Sequence, residues 1–148
     1  MGLDGDKVIL LVDDDPNDVE LTRRAFRNDP LGNKLVVVRN GVDALDYLRG
    51  TGSHAGRDPA DLPQVVLLDL NLPGIDGFEV LRRIRADDRF RRLPVVILTS
   101  SNEDSDKLAG YGLGANSYVR KPVDFREFSE AVTRLGLYWM LVNEPPPQ

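Results

Sequence analysis

The sequence predicts a doubly wound α/β fold, a parallel sheet covered by helices on both faces. Three observations predict it. Short apolar runs recur along the chain: Val8–Val12, Leu35–Val38, Val65–Leu68 and Val95–Leu98. These runs are mostly β-branched and do not alternate with polar residues, as in strands buried on both faces. The stretches between them carry apolar residues at helical spacing, so strand and helix alternate as in βα units with right-handed crossovers.

The elements follow in order. Met1–Asp6 is acidic, lacks the basic and apolar regions of a signal peptide, and is expected to be disordered. The first strand is Val8–Val12. Asn17 to Asn28 forms a helix with Val19, Thr22 and Phe26 on one face. Asp15 is expected to point to solvent and help start it. After the second strand, Val42, Leu45 and Leu48 mark a second helix. Gly50 to Pro63 is rich in Gly, Asp and Pro and reads as a long loop. Past the third strand, Phe78, Leu81 and Ile84 define a third helix, with Arg82, Arg83 and Arg85 on its wet side. Ser101 or Asn102 would cap a fourth helix running to about Gly110. Ser117-Tyr118-Val119 is a weaker fifth strand. The last helix starts at Asp124, with Glu127 three residues on as in a capping box. Its stripe is Phe125, Phe128, Val132, Leu135, Trp139 and Val142, and Leu135–Val142 is apolar on nearly every face. One domain over 7–142 is expected, followed by an extended Pro-rich tail over 143–148.

Composition narrows the chemistry. There are no cysteines and one histidine, His54, which excludes disulfides and thiolate sites and disfavours a Ser-His-Asp triad. His54 itself reads as a loop residue without a role. Net charge is -5, from 24 acidic and 19 basic residues, a poor footprint for nucleic acid. No apolar run is long enough to span a membrane, and a cytoplasmic location is expected.

In open parallel sheets, ligands bind outside the carboxyl ends of the strands. Asp13, Asp14 and Asp15 follow the first run, Asp69 the third, Thr99 the fourth, and Lys121-Pro122 the fifth. The second run ends in Arg39-Asn40-Gly41 and offers nothing obvious. Each feature alone has an ordinary explanation as a cap, turn or surface residue. Together they gather carboxylates, a hydroxyl and an ammonium on one edge. Carboxylates so placed repel one another unless a cation joins them. Mg2+ suits the set, because it binds through few carboxylates and shares phosphate oxygens. With a lysine opposite, the edge becomes a phosphoryl pocket. GxxxxGK[ST] is absent, and Gly110-Tyr111-Gly112-Leu113-Gly114 lacks the setting of a dinucleotide loop. A carboxylate nucleophile remains.

These residues resemble the receiver domain of two-component response regulators, from about Lys7 to Leu135. The most specific stretch is Val65–Gly77, VVLLDLNLPGIDG; VILLVDD, VVILTS and SYVRKP support it. The resemblance implies a flavodoxin-like five-stranded sheet in the order 2-1-3-4-5 with five helices. It implies that Asp69 takes a phosphoryl group from a sensor histidine kinase. Asp14 would bind Mg2+ directly, Asp13 through water, and Asn71 through its backbone carbonyl. Thr99 and Lys121 would hold the phosphoryl oxygens, with Tyr118 as the switch ring and Lys121-Pro122 cis. Asn71 and Ser101 would flank water's route to the phosphoryl group. Such a chain is a phosphoacceptor, catalysing only its own phosphorylation and dephosphorylation. The long loop and the Tyr138-Trp139 ending are similar to stand-alone receivers that serve bacterial phytochromes. No DNA-binding output domain is expected after Leu135. Signalling to a protein partner is, with homodimerisation through the fourth helix, fifth strand, fifth helix and apolar ending. Three rivals stay open. A flavodoxin-like cofactor carrier would be coloured. A pseudo-receiver would not take phosphate. A phosphatase using Asp69 would want an acid where Asn71 stands.

Overall fold

A computed structural model of the chain describes residues 8–27, 34–99 and 112–134. Five strands form one parallel sheet: β1 (Val8–Val12), β2 (Lys34–Val38), β3 (Val65–Asp69), β4 (Val95–Thr99) and β5 (Ser117–Arg120). Their order is β2-β1-β3-β4-β5, as expected. The register pairs Leu11 with Val37 on one side and with Leu67 on the other, and Asp69 with Leu98. Four α-helices lie among the described residues: α1 (Pro16–Phe26), α2 (Gly41–Arg49), α3 (Gly77–Ala86) and α4 (Phe125–Arg134). The last is the start of the final helix read from sequence. The helix expected over Ser101–Gly110 lies outside the described residues, as do Leu135–Val142 and both proposed termini.

The unbroken apolar runs are explained by two cores, one on each face. Leu10, Val12, Val66, Leu68, Val95 and Ile97 pack under α2 and α3, against Leu45, Leu48, Leu81 and Ile84. Ile9, Leu11, Val65, Leu67, Val96 and Leu98 pack under α1 and α4, against Val19, Phe26 and Phe128. Alternate residues of one strand thus feed opposite cores. Each fully buried Leu or Ile contributes about 1.5–3 kcal/mol.

Helix ends differ from the sequence reading in three places. Pro16 opens α1, ahead of Asn17, because Asp15 caps it: Asp15 Oδ1 accepts from the Asn17 and Asp18 amides at 2.8 and 3.4 Å. Asn40 does have a use, since its side chain accepts from the Asp43 amide at 2.7 Å and caps α2. The expected capping box at α4 is half formed. Asp124 Oδ1 accepts from the Arg126 amide at 2.8 Å, but Glu127 reaches back to the Arg120 amide of β5 at 3.3 Å.

Two surface expectations also fail. Arg85 is not on a wet face. Its guanidinium is half-buried and donates to the carbonyls of Leu93 at 2.7 Å and Gly114 at 2.8 Å, and to Asn116 Oδ1 at 2.9 Å. Asn116 Oδ1 also accepts from the Val95 amide at 2.8 Å. One arginine thereby ties α3 to the starts of β4 and β5. His54 is likewise engaged. The Gly50–Pro63 loop contains a 3-10 turn, Gly52–His54, in which His54 Nε2 lies 2.9 Å from Asp43 Oδ1 and the ring meets Tyr47 edge-on. The Arg57 guanidinium stacks over the same Tyr47 ring, 3.9 Å from its centroid. The loop is strapped to α2.

Candidate functional site

Sheet order reverses between β1 and β3, and chains that leave a sheet in opposite directions open a crevice at that point. The ends of β1 and β3 meet there, and the Lys121 side chain reaches in from just beyond β5, across β4. Alternation directs Asp13, Asp69 and Lys121 to the α1 face, since Leu11, Leu67 and Val119, two residues before each, belong to the core on that side. Asp13 and Asp69 are buried, while Asp14 is exposed. The three carboxylates each bring one oxygen within 4.8 Å of the others. Asp14 and Asp69 line an open cleft of about 420 Å³ together with Asp15, Asp18, Leu21, Asn71, Lys121 and Pro122, while Asp13 is wholly buried.

Lys121 reaches into this cluster. Its Nζ donates to Asp69 Oδ2 at 2.8 Å and to Asp18 Oδ2 at 2.9 Å. It also lies 3.1 Å from Asp13 Oδ2, an ion pair without hydrogen-bond geometry. The Lys121-Pro122 bond is cis. The Lys121 amide donates to the Thr99 carbonyl at 3.0 Å, which fixes the end of β5 against β4. Asp69 Oδ1 accepts from the Asn71 amide at 3.1 Å, and Asp13 Oδ1 from the Asp15 amide at 3.0 Å.

Electrostatics follow from burial. Burial pushes the Asp13 carboxyl up to about 6, with the Asp69 charge adding to it, against the opposing pull of the Asp15 amide and Lys121. Burial alone would lower the Lys121 ammonium. Its hydrogen bonds to Asp69 and Asp18, with the charges of Asp69 and Asp13, outweigh that and hold it above its ordinary value. Four lining carboxylates, Asp14, Asp15, Asp18 and Asp69, against the one ammonium of Lys121 leave the cleft negative. Asp13 Oδ2 is buried and faces only the Lys121 ammonium, in an ion pair at 3.1 Å, so the cluster keeps more carboxylate oxygen than one lysine neutralises. Oxygen-only donors of this kind suit a hard divalent ion.

The predicted residues are therefore distributed over two faces. Asp14, Asp69, Asn71 and Lys121 line the cleft, and Asp13 is buried within the same carboxylate cluster. Thr99 ends β4 nearly buried, and its parity is that of Val95 and Ile97, on the α2–α3 face. Tyr118 pairs with Ile97 and packs, half-buried, against that same core. Ser101 lies outside the described residues. Asp18 was missed. Its signal was available: it stands four residues after Asp14, one turn into α1, on the side the cleft opens to.

Such a sheet, with a carboxylate cluster and one lysine at its switch point, defines an α/β signalling receiver with a divalent-cation site. The chain belongs to the response regulator receiver domain family of two-component systems, whose sequence profile matches residues 9–133. It is 40% identical over 139 residues to the probable methanogenesis regulatory protein FilR2 of Methanothrix harundinacea, covering 94% of this chain and 87% of that one. It is similar to the solved bacteriophytochrome response regulator RtBRR, at 48% identity and a TM-score of 0.83, over 97% of this chain and 86% of that one. Response regulator Rcp1 of Synechocystis sp. is 34% identical over 134 residues, 90% of this chain and 89% of its own length. A structure of Rcp1 in its Mn2+-bound form matches with a TM-score of 0.74 and 33% identity, covering 96% of this chain and 99% of that one. Among the described residues, no helix is long and apolar enough to cross a membrane.

Proposed function

We propose that Asp69 accepts a phosphoryl group from a phosphohistidine of a sensor kinase, and that the acyl phosphate switches the domain's affinity for a protein partner. The observation that carries this reading is the contact of Lys121 Nζ with Asp69 Oδ2 at 2.8 Å, inside the Asp13–Asp14–Asp69 cluster. An oxygen of Asp69 attacks phosphorus, the P–N bond to the kinase imidazole breaks, and its electron pair leaves with that nitrogen. Lys121 stabilises charge on the transferring oxygens. Water later attacks phosphorus, the P–O bond breaks, and the Asp69 carboxylate and inorganic phosphate separate. These two reactions on itself are the only catalysis assigned to the chain.

The cation is proposed to be Mg2+, held by Asp14 and Asp69 directly, by Asp13 through water and by the Asn71 carbonyl. When bound, it supplies charge neutralisation and alignment for in-line displacement. Thr99 is assigned the phosphoryl contact, and Tyr118 the ring that follows it, in a two-state surface of the helix before β5, β5 and α4. The likeness to the bacteriophytochrome response regulator RtBRR supports a bacterial phytochrome as the kinase, and the domain is proposed to act in the cytoplasm as a homodimer through that surface and the apolar ending. Nucleic acid and membrane are not among the proposed partners.

Intact mass after incubation with acetyl phosphate tests the chemistry. One phosphoryl adduct is expected, dependent on Mg2+ and absent in Asp69→Asn. No adduct in the wild type, under conditions that label another receiver, would overturn it.

A further inference from the structure

We propose that Asp18 is a positioning residue that anchors Lys121 for transfer to Asp69; this rests on the reading of Asp69 as phosphoacceptor. A lysine is a point charge on a flexible four-carbon stem, so its position must be imposed by neighbours. Two hydrogen bonds and one ion pair impose it here. One hydrogen bond goes to Asp69 Oδ2 at 2.8 Å, the other to Asp18 Oδ2 at 2.9 Å. Asp13 Oδ2 adds an ion pair at 3.1 Å, and Asp13 belongs with Asp69 to the proposed metal site, which leaves Asp18 as the anchor outside it.

The two anchors are not equivalent. Phosphoryl transfer turns the Asp69 carboxylate into an acyl phosphate and moves its negative charge onto the phosphoryl oxygens. The ammonium must follow that charge outward while losing its bond to the carboxylate. Asp18 takes no part in the covalent change. It sits in the first turn of α1, which Asp15 caps and the Thr22 hydroxyl reinforces by donating to the Asp18 carbonyl at 2.9 Å. Its carboxylate therefore keeps Lys121 beside the reacting atoms before, during and after transfer. An ammonium has three N–H donors. With one fixed on Asp18, the others can pass from Asp69 to the phosphoryl group without release of the side chain into water.

The full chain with Asp18→Ala and Asp18→Asn separates this from a structural or purely electrostatic role. Asn keeps an oxygen acceptor but no charge. With acetyl phosphate and saturating Mg2+, Asp18→Ala is expected to slow Asp69 phosphorylation about tenfold, with Asp18→Asn within about threefold of wild type. In parallel, nitrogen-15 NMR of the lysine ammonium groups, assigned with Lys121→Arg, is expected to show slow proton exchange at Lys121 in wild type and Asp18→Asn. Asp18→Ala should lose it. An unchanged rate and signal in Asp18→Ala, or equal slowing in both variants, would overturn the anchor. A wild type that takes no phosphoryl group would instead sink the phosphoacceptor reading, and the ammonium signal would decide the anchor alone.

Discussion

Replacing Asp13 with Asn is expected to stabilise the metal-free protein, although it removes a proposed metal ligand. The side chain is wholly buried, and burial raises its pKa from 3.8 to about 6. Between those two values the folded state keeps a proton at Asp13 that the unfolded state has released. The stability tied to that proton is fully present below 3.8 and is lost as pH rises through about 6. Counted in full, the loss is about 3 kcal/mol. Because Asp13 titrates together with Lys121 and Asp69, about 1–2 kcal/mol of it belongs to this position. Asn at position 13 never ionises, so it escapes the loss.

Urea unfolding followed by far-ultraviolet circular dichroism, with a chelator present, measures this directly. Wild type should weaken by about 1–2 kcal/mol between acid and neutral pH, and the variant should lack that component. Adding Mg2+ at neutral pH should restore the wild type and do little for the variant, because a ligand stabilises only the state that binds it. An Asn variant no more stable than wild type at neutral pH without metal would refute the reasoning. So would a wild type whose stability does not change across this range.

The remaining predictions concern the scaffold around the cleft. A Cβ on Gly77 would strike the Asp69 carbonyl oxygen and lie 2.8 Å from Leu70 Cα, both backbone. Gly77→Ala should cost about 2–3 kcal/mol in urea unfolding and also slow phosphorylation of Asp69, whose strand end it displaces. Loss of Arg85 would orphan the Leu93 and Gly114 carbonyls and one Asn116 contact. Arg85→Ala should therefore cost about 2–4 kcal/mol, and Arg85→Lys should recover less than half of it in the same assay, because an ammonium cannot span that fork.

What was legible in the sequence was whatever depends on period. Val8–Val12 and Val95–Leu98 could be read as doubly buried strands because nothing polar interrupts them. The position of Asp69 followed from the end of such a run. Arg85 was misread because helical spacing places it beside Arg82 and Arg83. Only the return of the chain at Gly114 and Asn116, some thirty residues later, gives its guanidinium acceptors. Asp18 was missed for a related reason. Its partner Lys121 lies more than a hundred residues away, and the pairing exists only once β1 and β5 share a sheet. His54 and Glu127 show the same limit at shorter range, where a loop or strand end competes with the local partner.

The division of the site between two faces bears on how a chemical change could be transmitted. Asp69 and the Lys121 side chain lie on the α1 face, whereas Thr99 and Tyr118 share parity with the opposite core. Asp69 is paired in register with Leu98, so Thr99 is the next residue beyond that rung. The Lys121 amide is bonded to the Thr99 carbonyl at 3.0 Å. A shift of Lys121 following charge away from Asp69 would thus pull on the backbone that carries Thr99, without any side chain crossing the sheet. The sheet interior is too densely packed to yield gradually. Its carboxyl edge is where small displacements remain possible; Thr99 stands on that edge one strand from the reacting carboxylate, and Tyr118 lies one strand further on, in β5.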